Sequence, residues 1–160
     1  MIFLDSGPLG LVTHPKANAE STNCIAWLLG LLEKEGVKVC IPEICDYEIR
    51  RDYVRRVEKN TDPQDAVRAK KALENLDQLK TVISYVQINT PMMNRSAQLW
   101  ASARNNGIST ADDKSLDCDV ILAAQALVST PATDNLIIAT SNVRHLARFA
   151  KAQKWEDIKL

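Results

Sequence analysis

The sequence predicts an α/β fold in which a parallel sheet carries helices on both faces. Three observations predict it. Short apolar or β-branched runs alternate with longer segments of helical periodicity along the whole chain, the pattern of successive strand–helix units. The run Leu136-Ile137-Ile138-Ala139-Thr140 is short and apolar, as suits a strand covered on both faces. The first run, Met1-Ile2-Phe3-Leu4, stops at Asp5 and then Ser6-Gly7-Pro8. A carboxylate therefore ends a strand at the edge where open parallel sheets gather their ligands.

The elements are read in order. After the opening strand, Thr22 to Glu35 carries Ile25, Leu28, Leu29 and Leu32 on one stripe, and Gly36 stops it. Val37 to Ile41 reads as a buried strand ended by Pro42, which opens a helix to Glu58 bearing Ile44, Tyr47 and Val54. Asp62-Pro63 starts another helix, with Ala66, Ala69, Leu73, Leu76 and Leu79 at three- and four-residue spacing. Ile83 to Ile88 is a strand rich in β-branched residues, and a helix from Pro91 to Asn106 ends at Gly107. Asp117 to Val128 is an Ala-rich helix, and after the strand at 136–140 a last sizeable helix is expected over Asn142 to Ala152. Ile158-Lys159-Leu160 reads as a weak final strand. Polar loops span Gly107–Ser115 and Ser129–Asn135. With no linker, repeat or low-complexity tract, residues 1–160 read as a single domain.

Composition narrows the function classes. Twenty acids match twenty bases, which argues against long-range electrostatic capture of nucleic acid but leaves room for a local basic rim. No apolar run approaches the roughly 20 residues that span a bilayer. The N-terminus lacks the basic-then-apolar pattern of a secretory signal. A cytoplasmic protein without a membrane partner is expected. Cys24, Cys40, Cys45 and Cys118 form no C-x-x-C pair and read as reduced, partly buried thiols. With only His14 and His145 beside them, zinc is poorly supported.

The chemistry resides in the acids. Asp5 ends a strand, Glu48 lies about one and a half turns into the helix after the second strand, and Asp119 sits in a helix first turn ahead of Val-Ile-Leu-Ala-Ala. Thr140-Ser141-Asn142 closes the fourth strand. Carboxylate and amide oxygens suit magnesium and manganese, which can activate water and stabilise an in-line phosphodiester displacement. Each acid also has a plain structural explanation. Asp5 can bond the amides of the Ser6-Gly7 turn, and Asp117 can cap its helix with Asp119 in the dipole-favoured first turn. Asn142 can cap a helix, and Glu43 and Asp46 compete with Glu48. Their arrival at one crevice is what favours a site.

The segments Ile2-Phe3-Leu4-Asp5-Ser6-Gly7-Pro8-Leu9, Ile41 to Ile49, Leu116 to Ala126 and Ile138-Ala139-Thr140-Ser141-Asn142 together resemble the PIN-domain family, in its VapC-like group of small single-domain proteins. The resemblance spans nearly the whole chain in the right order. It implies a three-layer α/β/α sandwich and a metal-dependent endoribonuclease in which Asp5 and Asp119 hold Mg2+ or Mn2+. Glu48 joins them as catalytic acid, and Thr140 or Ser6 helps to orient water or phosphate. It also implies an RNA substrate, a homodimer and, for a toxin of a toxin–antitoxin pair, a cognate antitoxin. The chain departs from the pattern where many members carry an aspartate two or five residues past the threonine. Asn142 and His145 stand there, with Asp117 as a conjectural substitute. A catalytically weak or inactive RNA-binding module is therefore the alternative.

Arg50, Arg51, Arg55 and Arg56 lie beyond Glu48, and Arg144, Arg148, Lys151 and Lys154 beyond Asn142. Arg50, Arg51 and Arg144 are the candidates for RNA phosphate contact, against the alternative of a solvated face laced with Asp52 and Glu58. Trp27, Trp100 and Trp155 read as core or interface anchors, and Met92, Met93 and Leu99 beside Trp100 as a subunit contact. An aspartyl-phosphate protein would need a second aspartate near Asp5, where Gly7 stands, and the first turn lacks the G-x-G-x-x-G of a dinucleotide-binding fold. Asn142→Asp adds a charged oxygen ligand, so it is expected to tighten manganese binding in calorimetry; unchanged affinity would count against a metal role for this turn.

Overall fold

Ile2-Phe3-Leu4 forms β1 (Ile2–Leu4), and its three side chains are buried, as a strand with helices on both faces requires. The computed structural model describes residues 1–16, 18–107, 116–130 and 135–159. Within them β1 pairs in parallel with β2 (Val39–Pro42) on one side and β4 (Ile137–Thr140) on the other. β3 (Ser84–Val86) continues beyond β2 and β5 (Ala152–Lys154) beyond β4, so the order is β3-β2-β1-β4-β5 with every pairing parallel. This is the α/β/α architecture expected, with helices flanking a five-stranded sheet. The strand order reverses between β1 and β4, which makes that junction the topological switch point.

Local signals explain most helices. α2 (Ala19–Leu32) opens with a capping box between Asn18 and Ser21. α3 (Glu43–Lys59) ends at Asn60 in the left-handed region, with φ 44°. α4 (Pro63–Leu79) begins with Asp62 as cap and Pro63 in its first turn, and α5 (Thr90–Asn105) is capped by Asn89. Asp117 caps α6 (Cys118–Ser129) by accepting from Val120 N at 3.2 Å.

Several sequence expectations are corrected. Ser6-Gly7-Pro8 is no turn but the start of a helix, α1 (Ser6–Thr13), because Pro8 falls in the first turn where no N–H is needed. The helix expected over 142–152 is only α7 (Val143–Leu146), and the chain then runs into β5. Ile158 belongs to no strand; it comes after a 3-10 turn (Trp155–Asp157), and Trp27 Nε1 donates to its carbonyl at 3.3 Å. On α2 the core stripe is Ser21, Cys24, Leu28 and Leu31, whereas Ile25, Leu29 and Leu32 are exposed. Tyr47 and Val54 on α3 are likewise exposed, their buried neighbours being Ile49 and Tyr53. The two polar loops fall largely outside the described residues, and among those residues no helix is long and apolar enough to cross a membrane.

One buried polar side chain ties the layers together. Gln125 of α6 is fully buried; its Oε1 accepts from Ile44 N at 3.2 Å and its Nε2 donates to Val86 O at 2.7 Å. It thereby satisfies the entrance of α3 and the end of β3 at once. Gln125→Leu nearly keeps the volume but strands both backbone groups, so it is expected to cost about 2–4 kcal/mol in urea unfolding.

Candidate metal centre at the strand ends

The parallel register of β1 and β4 pairs Leu4 with Ala139, which leaves the next residues, Asp5 and Thr140, side by side at the sheet's carboxyl edge. Asp5 N donates to Ala139 O at 3.0 Å, and Thr140 Oγ1 donates to Asp5 Oδ2 at 2.6 Å. On the other oxygen, Ser6 N donates to Asp5 Oδ1 at 2.7 Å and Ser6 Oγ lies at 3.3 Å. Asp5 is buried and Thr140 fully so. The carboxylate is thus clamped from both sides, which fixes its orientation. The Thr140 hydroxyl in turn accepts from Asn142 N at 2.7 Å, locking the turn after β4. Gly7 allows that turn to sit against α1, since a Cβ there would meet Ser141 Oγ at 2.7 Å.

Asp119 lies within reach of the charges of Asp5, Asp117 and Glu48. Burial pushes the Asp119 carboxyl up to about 6, and the charges of Asp5, Asp117 and Glu48 push the same way while His145 opposes them. His145 Nδ1 stands 3.9 Å from Asp119 Oδ2. Two thiols border the cluster. Cys45 is raised well above its usual range, first by burial and then by Asp5 and Glu48, and Cys118 is pushed to about 11 by burial, then Glu48. Both stay protonated and inert, consistent with reduced thiols.

The competing acids on α3 have other tasks. Asp46 is buried and receives Arg50 at 2.9 Å, Lys80 at 3.0 Å and the Tyr85 hydroxyl at 3.2 Å. Glu43 accepts from Ile88 N at 2.6 Å. Positions 46 and 50 share one helix face and 48 and 51 another. Hence Arg50, also paired with Asp77 at 2.7 Å, is engaged against α4 and not brought to the acids. Arg51 is the arginine that accompanies Glu48, at 3.9 Å, with its guanidinium 5.6 Å from the centre of the Tyr47 ring. Arg144 is exposed on α7. Asp117 acts as helix cap while its charge also reaches Asp119. The Asn142 side chain makes no cap bond to α7.

Sequence reasoning assigned no role to His145 or Gln125. His145 lies in a segment that reads as a long helix, and Gln125 is one polar residue in an apolar run. The only signal for Gln125 is its polarity on a helix with no exposed stripe to receive it.

The donor set fits a hard divalent cation. Asp5, Glu48 and Asp119 offer oxygen only, and a cation would relieve the repulsion felt at Asp119. Among the described residues no three Asp, Glu, His or Cys side chains form, as they stand, a group that could hold a metal ion.

The burial of Asp119, with the repulsion added to it, has a measurable consequence. Asp119 holds its proton more tightly in the folded chain than unfolded, where the ordinary value is 3.8, so stability falls as pH rises from about 4 to about 6. A shift of this size corresponds to about 3 kcal/mol unscreened, and the carboxyl is 34% exposed. With EDTA present, Asp119→Asn is expected to stabilise the fold at pH 7 by about 1–2 kcal/mol, the gain fading to nothing below pH 4; urea unfolding across this range checks it.

No protein-family model matches the sequence, and no curated protein matches it. Solved structures do match in fold. FitAcB from Neisseria gonorrhoeae aligns with a TM-score of 0.67 at 19% identity over 99% of this chain and 100% of that one. VapBC-1 from nontypeable Haemophilus influenzae gives 0.67 at 14% identity, over 98% and 100%. DNA-bound VapBC from Salmonella typhimurium gives 0.65 at 16% identity, over 96% and 97%. At these identities the likeness is one of fold, and the chain shares with those structures a PIN-like α/β fold with a five-stranded parallel sheet flanked by helices.

Proposed function

We propose that this protein is a divalent-metal-dependent endoribonuclease that hydrolyses RNA phosphodiesters, acting within a toxin–antitoxin pair. The observation that carries the reading is Asp5 at the carboxyl edge beside the switch point of a parallel sheet, with its charge and that of Glu48 both felt at Asp119. Asp5 and Asp119 would hold Mg2+ or Mn2+, with Glu48 as further ligand or water-orienting base. Such an ion lowers the pKa of a bound water and offsets charge on the phosphodiester.

The chain's own residues supply the rest. Thr140 and Ser6 hold the Asp5 carboxylate at fixed orientation, so binding costs it little rearrangement. Glu48 is part-exposed and within reach of solvent, as a group that takes a proton from water must be. Arg51 and Arg144 lie at the rim, where exposed guanidinium groups can take phosphate oxygens without reading bases. A protein partner of antitoxin type is supported by the fold's occurrence in FitAcB and VapBC assemblies and by the exposed Ile25, Leu29 and Leu32 on α2. A homodimer is part of the same proposal.

A second reading, an RNA-binding module without turnover, is favoured by Asn142 in place of an acid after β4. The two separate in one assay. Wild type and Asp119→Asn are incubated with labelled structured RNA in manganese, magnesium or EDTA. Cleavage by wild type alone, abolished by EDTA, is the expected result. Binding without cleavage in every metal would establish the module instead, and equal cleavage by both proteins would remove Asp119 from the site.

A further inference from the structure

The chain has three tyrosines, and two of them belong to the scaffold. Tyr53 is buried, and the Tyr85 hydroxyl donates to Asp46. Tyr47, which helical periodicity assigns to the core, is instead 49% exposed on α3. A ring left half in water returns only part of the burial energy of a core tyrosine.

Its neighbours are those of the candidate site. Positions 47 and 51 lie about one helical turn apart, and the Arg51 guanidinium lies over the Tyr47 ring, 5.6 Å from its centre. Arg51 in turn stands 3.9 Å from Glu48. The charges of Glu48 and Arg51 are both felt at Cys118, which opens α6 one residue before Asp119. The pair therefore offers an aromatic surface with a fixed positive charge beside one of the site's acids.

We propose that Tyr47 is a stacking platform for an unpaired base of the RNA, with Arg51 taking the adjoining phosphate. The proposal rests on the RNA-cleaving reading of the same site and adds the state in which the strand is accepted. Every base has a π-face, so stacking on an aromatic ring tolerates any sequence. The arginine plane can lie against the ring while its N–H groups bond phosphate oxygens. Bases inside a duplex are stacked on each other and offer no such face, so the platform selects single strands, loops and bulges. Tyrosine and arginine also anchor protein contacts, but the apolar residues such a contact draws on stand on α2, at Ile25, Leu29 and Leu32.

Wild type, Tyr47→Ala and Tyr47→Phe are titrated against a fluorescein-labelled oligouridylate, single-stranded or paired with oligoadenylate. Polarisation is read in manganese chloride and again in EDTA. Tyr47→Ala is expected to bind the single strand at least about fivefold more weakly and the duplex as wild type does. Tyr47→Phe, which keeps the ring, matches wild type on both. Unchanged single-strand binding by Tyr47→Ala, an equal loss on strand and duplex, or a Tyr47→Phe as weak as Tyr47→Ala overturns the platform and leaves RNA binding intact. Failure of wild type to bind either RNA in both conditions removes the RNA reading and this proposal together. Thermal melts matching wild type are expected for both variants, since the ring is half exposed.

Discussion

The parallel pairing of β1 with β4 governs the layout of the whole carboxyl edge. Leu4 opposite Ala139 forces Asp5 and Thr140 to emerge together there, and their 2.6 Å hydrogen bond joins two residues 135 positions apart. From that junction α1 and the turn to α7 both depart, with Gly7 permitting their close approach at Ser141. A slip of one residue in this register would turn the buried side chains of β1 to the wrong face and part the clamp on Asp5.

Around this junction the protein concentrates groups that burial and neighbouring charge hold toward their protonated forms. Asp119 is pushed up to about 6 by burial and by three other acids, and two thiols nearby are held protonated by burial and by neighbouring charges. The acids elsewhere on α3 behave differently. Asp46 has three donors and Glu43 a backbone amide, so those carboxylates link elements rather than strain them. The contrast between these satisfied acids on α3 and Asp119 on α6, raised by burial and by three other carboxylates, separates scaffold from candidate site.

Where the governing information is local, it is legible in the sequence. Asp62-Pro63 and Gly36 mark helix boundaries by caps and backbone preference, and Asp5 and Asp119 are visible because they abut apolar runs. Where it is tertiary, it is not. Cys24, Leu28 and Leu31 form a stripe beside Ile25, Leu29 and Leu32, and periodicity alone does not say which of the two meets the sheet. β5 is Ala-Gln-Lys, a strand by virtue of its pairing with β4 and not of its own residues. The engagement of Asp46 in the scaffold depends on Lys80 and Tyr85, more than thirty residues away.

The two edges of the sheet have a bearing on assembly. β3 and β5 are each three residues long, and β5 ends in a lysine that leads at once into a 3-10 turn. At the end of β3, Gln125 takes the Val86 carbonyl and Glu43 takes the Ile88 amide. Edges this short, charged and capped give an incoming strand almost no ladder to extend. Strand addition at either edge is therefore disfavoured, and the helix surfaces can be redesigned without disturbing the sheet.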